Sequence, residues 1–276
     1  MGTVRAVPRF LILAVALSLA RAAAADEVCR FTGTTDYAGH IVVVTDVATA
    51  GAVTTVDVTA TFGATPLLWP AVRYQVEERS TWRAGELQSL AVNNRYAAGE
   101  HLVRQQWDEF ERGADGMQAR RVQAKTLDEL ARSSPNFVRH WDAATFGIDW
   151  LADFRFAAPE RRPDLDLAGP LPAGLRTPLA MIFYWVRWLP PESQDVPVFM
   201  PGFKAQHLVR LPITSEPWAG GLVRHTPLRY PALKDRPVST ATAWTSFDGH
   251  LLQLAFAFYT WSGSAHGLIQ QQNCSK

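Results

Sequence analysis

Cysteine is almost missing from this 276-residue sequence: Cys29 and Cys274 are the only two, which leaves room for a single intramolecular bond. Catalytic signatures are missing as well. No G-x-S-x-G elbow occurs, and in the nearest stretch, GSAHG at 263–267, the serine is in the wrong place for a nucleophile. Seven histidines, at 40, 101, 140, 207, 225, 250 and 266, show neither the i, i+4 nor the clustered spacing of a metal site. Glycine-rich phosphate loops, internal repeats and low-complexity tracts are also lacking. The carboxylate pairs give no diagnostic spacing for acid and base work on a sugar: Asp164 and Asp166 fall in a proline-rich loop, and Glu77 and Glu78 point to opposite faces of a strand. All four read as solvated surface charge. The expectation is therefore no catalytic residue, no metal and no cofactor.

An excess of charge of either sign is absent too. Setting aside residues 1–25 removes Arg5, Arg9 and Arg21 from the 27 cationic side chains and leaves 24 against 26 anionic ones. That balance argues against nucleic acid or anionic lipid as a partner. Long apolar runs are confined to the amino end. There, Arg5 and Arg9 precede the run at 10–20, and Ala22 to Ala25 supply the small residues that a signal peptidase cuts, just before Asp26. A membrane anchor needs about 18 apolar residues, and Arg21 ends the run short of that. Residues 1–25 read as a secretory signal and 26–276 as one β-rich domain with no transmembrane segment. Such a chain is exported, to the periplasm of a Gram-negative host or into the medium otherwise.

What is plentiful is apolar and aromatic material: 47% hydrophobic residues, with 10 Trp and 14 Phe. In an oxidising compartment Cys29 and Cys274 are expected to pair, the alternative being thiols left free or joined between molecules. The bond requires Cα atoms about 4.4 to 6.8 Å apart, so it clamps the first strand to the last. Closing a loop this long is worth roughly 5 kcal/mol by the chain-entropy argument.

Period-two patterns dominate. Val56, Val58, Ala60 and Phe62 alternate with Thr55, Asp57, Thr59 and Thr61, and Val72, Tyr74 and Val76 alternate with Arg73, Gln75 and Glu77. Further strands are expected at 86–96, 101–111 and 116–124, with turn signals at Asn93 and Asn94, Gly99, and Asp115 with Gly116. Near the carboxyl end, 238–247 and 250–261 form a hairpin around Asp248 and Gly249, a pair favoured in type I′ turns. Between these regions, minor helices are expected in the 125–190 region, including a polar one at 126–132, with a loop at 155–177. The best-delimited element is a helix at 178–189. Thr177 is placed to cap it, Pro178 takes its first position, and Pro190 and Pro191 stop it. Its residues from Leu179 to Val186 leave no polar face, so it must be buried, either inside a sheet curved around it or on one sheet face. Arg187 then reaches outward or pairs within.

The stretches CRFTGTTDYAG at 29–39, STWRAGEL at 80–87 and WTSFDGHLL at 244–252 resemble an uncharacterised family of exported bacterial proteins, a domain of unknown function. The succession of a meander, a Thr-Pro-capped apolar helix and a final hairpin pair is also similar to the half-barrels that carry lipoproteins across the periplasm. In those, helices plug an apolar concavity; the terminal cystine and the loop at 155–177 depart from that pattern. The expected architecture is mainly β, an antiparallel curved meander, half-barrel or barrel, enclosing one short apolar helix. The expected role is non-catalytic: binding of a lipid or other apolar small molecule, or of an envelope protein. The candidate lining is Phe62, Tyr74, Trp107, Phe183, Trp185, Trp188, Phe256 and Phe258, since aromatic walls suit such ligands. An exported hydrolase of ester or glycan and a structural subunit of an envelope complex are the alternative classes. The first demands that histidines and carboxylates meet in a cleft, the second an exposed aromatic patch.

Overall fold

The computed structural model describes residues 27–36, 39–64, 72–98, 101–124, 159–189, 195–199, 205–218, 221–230, 240–260 and 263–275. The expected signal at 1–25 and the expected helix at 126–132 lie outside these residues. Alternation of apolar and polar side chains produces the strands β1 (Glu27–Thr35), β2 (Gly39–Ala50), β3 (Val53–Ala64), β4 (Val72–Arg83), β5 (Glu86–Ala98), β6 (His101–Gly113) and β7 (Gly116–Ala124). Two-residue strands β8 (Glu160–Arg161) and β9 (Leu167–Ala168) follow. The carboxyl part adds β10 (Asp195–Phe199), β11 (Ala205–Arg210), β12 (Thr214–Trp218), β13 (Gly221–Arg229), β14 (Thr240–Thr245), β15 (Leu251–Thr260) and β16 (Gly263–Ser275).

All sixteen strands belong to one antiparallel sheet, ordered β10-β11-β13-β14-β15-β16-β1-β2-β3-β4-β5-β6-β7-β8, with β12 on β13 and β9 on β7. The first strand and the last are neighbours in mid-sheet, so two wings fan out from a β1–β16 seam. Cys29 faces Cys274 in register across that seam, and the two are joined as a disulfide with Cα atoms 4.1 Å apart, slightly under the range that the sequence argument set. Among the described residues no strand links β8 to β10, and the sheet they form is open. Its concave face gathers one continuous core that includes Phe31, Val43, Val56, Val58, Trp82, Phe110 and Phe199. Among the described residues no helix is long and apolar enough to cross a membrane.

The expected twelve-residue helix is shorter. An α-helix, α1, spans Pro178–Phe183, and a 3-10 turn continues it over Trp185–Trp188. Ala180, Met181 and Phe183 are buried and no residue of α1 is exposed. The break at Tyr184 follows from what the aromatic run packs against. Trp185 turns edge-on to Trp82 with centroids 5.1 Å apart, and Arg187 turns inward, donating to both Glu27 oxygens at 2.9 Å and to the Gly249 carbonyl at 3.1 Å. Bulky aromatics have only moderate helix propensity, and tertiary partners override it.

Three local expectations are corrected. Asn93 and Asn94 lie inside β5, paired with Glu77 and Val76 of β4, because their carboxamides find hydrogen-bond partners across the sheet. The 248–249 turn has positive φ at Gly249 but not at Asp248, and the Gly249 amide bonds the Ser246 carbonyl at 3.2 Å, so it is not type I′. The stretch from 159 onward is not all loop, since β8 and β9 both pair with β7.

Candidate functional site

The helix start is held from an unexpected quarter. Thr177 makes no capping bond to the helix; its hydroxyl instead donates to Glu78 of β4 at 2.5 Å. The Glu78 carboxylate also accepts from the amides of Leu179 at 3.0 Å and Ala180 at 2.9 Å. A carboxylate brought from the sheet thus satisfies the exposed amides at the helix start, where the partial positive charge favours an anion. Burial pushes the Glu78 carboxyl above its ordinary value, and the bonds from Thr177, Ala180 and Leu179 only partly oppose it. With the Arg187–Glu27 pair at its other end, the segment is pinned to the sheet by two carboxylates.

Glu77, on the other face of β4, is buried as well. It accepts from Arg95 at 2.5 Å, Gln75 at 2.8 Å and Asn93 at 2.7 Å. Burial pushes its carboxyl up despite Arg95, and pushes the Arg95 guanidinium down to about 10. Both glutamates were expected to be solvated; at this point β4 is buried on both faces. Asp164 is exposed and bonded to Arg162, whereas Asp166 is half-buried, bonded to Arg161 and to the Ala119 amide.

Where α1 leaves the concave face, a cavity of about 630 Å³ remains, within the usual size of a small-molecule site. One wall is Ile41 and Val43 of β2, Ala60 and Phe62 of β3, Tyr74 and Val76 of β4 and Tyr96 of β5. The facing wall is Ala241 of β14, Leu254 and Phe256 of β15 and Ile269 of β16, and Leu179, Ile182 and Phe183 of α1 form the floor together with Tyr230. None of the described lining residues is charged. Gly267 makes room for one of these rings: a Cβ there would sit 2.3 Å from Phe256. Tyr74 and Tyr96 are cross-strand partners and keep 41% and 37% of their surface accessible, and the Tyr74 hydroxyl donates to Asn94 at 3.0 Å.

Of the eight residues proposed from sequence, Phe62, Tyr74, Phe183 and Phe256 line this cavity together. Trp107 is buried on the opposite face of the sheet, in register with Asn93 and Val122. Trp185 packs into the filled part of the core against Trp82, under the Arg176 guanidinium at 4.4 Å. Trp188 is 56% exposed and lies against Gly249. The side chain of Phe258 lies outside the described residues. Sequence reasoning passed over Tyr230, Leu179, Ile182 and the small residues Ala60 and Ala241. Aromatic content was the criterion applied, and apart from Tyr230 these residues carry no ring.

Among the described residues histidines meet carboxylates in scattered pairs, and His250 lies 3.7 Å from both Glu27 and Asp248. His207 meets Asp195 at 3.0 Å, His266 meets Asp36 at 2.9 Å, and His225 meets Thr214 at 3.2 Å, each on its own strand pair. The backbone and side-chain bonds from His266 hold the Asp36 carboxyl below its usual range. Among the described residues, Glu27, His250 and Cys274 are the one group with metal-ligand proximity. Cys274 is committed to the disulfide and Glu27 to Arg187, so the donor set does not suit a metal ion.

The class defined so far is an open, strongly curved antiparallel sheet whose apolar concavity is partly filled by one short helix. It is similar in fold to a solved structure described as the beta-barrel-like protein of domain of unknown function DUF1849 from Brucella abortus, with a TM-score of 0.53 and 10% sequence identity, covering 90% of this chain and 98% of that one. No family model matches the sequence, and no curated protein matches it.

Proposed function

We propose that this is an exported, non-catalytic protein that binds an apolar or amphipathic small molecule in the concavity between its two wings. The observation that carries the reading is the 630 Å³ cavity with no charged residue in its described lining. Packed interiors rarely leave voids larger than a water molecule, and an apolar hollow of this size gains free energy when hydrocarbon displaces water from it. The disulfide agrees with export into an oxidising compartment. Whether the ligand is carried, sensed or stored follows from its partners in the envelope.

The test is uptake of N-phenyl-1-naphthylamine by delipidated protein, together with native mass spectrometry of protein purified from its own host. Bound lipid and probe emission that saturates at one site are the expected results. Ala241→Phe, which fills the hollow, is expected to reduce uptake at least tenfold. Protein that carries no lipid and does not enhance probe emission would remove this reading.

A further inference from the structure

The wall of the cavity changes character from its mouth inward. Its exposed members are Tyr74, Tyr96 and Thr240, and each of the three bears a hydroxyl. They share one end of the sheet. Tyr74 is the third residue of β4 and faces Tyr96, two residues before the end of β5, while the register running from β14 through β15, β16, β1, β2 and β3 places the start of β14 at that same end. Beside them, half-buried Asn94 adds a carboxamide, which accepts from the Tyr74 hydroxyl at 3.0 Å. Deeper in, Val43, Ala241, Leu254 and Ile269 are each at most 4% exposed and carry only hydrocarbon. The Tyr230 hydroxyl has no accessible surface, so only its ring meets the space.

Resting on the binding function proposed above, we infer that the ligand is an amphiphile held tail-first, its hydrocarbon chain in the hollow and its oxygen-bearing end at the rim formed by Tyr74, Tyr96 and Thr240. A chain gains free energy by displacing water from the apolar interior. A polar end turned inward meets hydrocarbon and finds no partner to replace the water it gave up. At the mouth the balance reverses. Tyrosine presents an apolar ring and a polar tip, which suits a boundary where one side is greasy and the other wet. The paired rings therefore flank the first carbons of the chain, while hydroxyls that solvent reaches serve the oxygens that follow. A hydrocarbon lacking such an end fills the same space but forgoes the rim.

The experiment adds stearate carrying a nitroxide near its methyl end or near its carboxyl end to wild-type protein with isotope-labelled methyl groups and tyrosine rings, and reads the broadening of each resonance. The methyl-end label is expected to broaden Val43, Leu254 and Ile269 at least threefold more than the carboxyl-end label does, with the opposite order at the rings of Tyr74 and Tyr96. A second measurement compares binding of monoolein and of N-phenyl-1-naphthylamine to wild type and to the double variant Tyr74→Phe/Tyr96→Phe, which keeps both rings and removes both hydroxyls. Monoolein is expected to weaken by about fivefold, the worth of one hydrogen bond, and the naphthylamine, which has no oxygen, by clearly less. An equal or inverted order of broadening, stearate that does not bind, or equal losses for the two ligands overturns the inference and leaves the cavity reading standing. Failure of stearate and naphthylamine alike to bind overturns both.

Discussion

At one end of the concave face, Trp82, Leu87, Phe110 and Met117 are each at most 1% exposed, and Phe110 meets Phe199 edge-on at 4.8 Å. At the other end, Ala60, Ala241, Val43 and Val76 stand among the walls of a 630 Å³ hollow. β4 and β5 run through both ends, and the segment that begins with α1 borders each, with Leu179 at the hollow and Trp185 against Trp82. Along one face of β4, Tyr74 and Val76 stand at the hollow and Trp82 in the filled core.

Cutting a ring from each end breaks the comparison most sharply. Phe110→Ala is expected to cost about 4 kcal/mol, as a new void opens in close-packed surroundings. Phe62→Ala, which only enlarges an existing space, should cost about 1 kcal/mol. Urea unfolding of both variants checks the difference, and equal losses would mean that the hollow is as tightly packed as the core.

The boundary between the ends is Glu78, and its removal comes next in size. Glu78→Ala leaves the Thr177 hydroxyl and the Leu179 and Ala180 amides unpaired and should destabilise by about 3 kcal/mol. Glu78→Gln keeps an acceptor and separates charge from bonding. Because the folded carboxyl titrates above its unfolded value of 4.5, the native state holds its proton more tightly than the unfolded chain does. Wild type therefore loses stability as pH rises from 4.5 through the folded value, and Glu78→Gln lacks this contribution. The stability of the variant relative to wild type should grow across that window and then level off. A difference that stays flat from pH 4 to 8 would show that Glu78 does not titrate as argued.

The smallest expected effect lies at the filled end. Ala84 holds φ at +49° in the turn before Gly85, a conformation that an alanine Cβ disfavours. Ala84→Asn creates the Asn-Gly pair suited to such a hairpin and should stabilise by about 0.5 kcal/mol, read as a raised urea midpoint.

Much of the fold was legible because a strand declares itself by alternation. The limits of β3, β5, β6 and β7 fall close to the patterned runs, and the pairing of Cys29 with Cys274 followed from count and position. The site was less legible. Phe62 and Phe256 could be placed on inward faces by period two, but nothing in the local sequence separates them from Trp107, whose strand is buried on both sides. Glu78 looked like an ordinary surface carboxylate because its three donors lie about a hundred residues away.

Sequence alone determined what neighbouring residues can enforce on one another: strand period, the glycine at a tight turn, the apolar composition of the stretch after Thr177, and one cystine between Cys29 and Cys274. Tertiary structure decided everything that depends on which distant faces meet. It cut the helix at Phe183, supplied the cap from β4, turned Arg187 inward onto Glu27, and left Tyr230 facing a hollow. The physical reason is range. Backbone preference and alternation act over a few residues, whereas burial, charge pairing and empty volume are properties of surfaces that come together only when the two wings close.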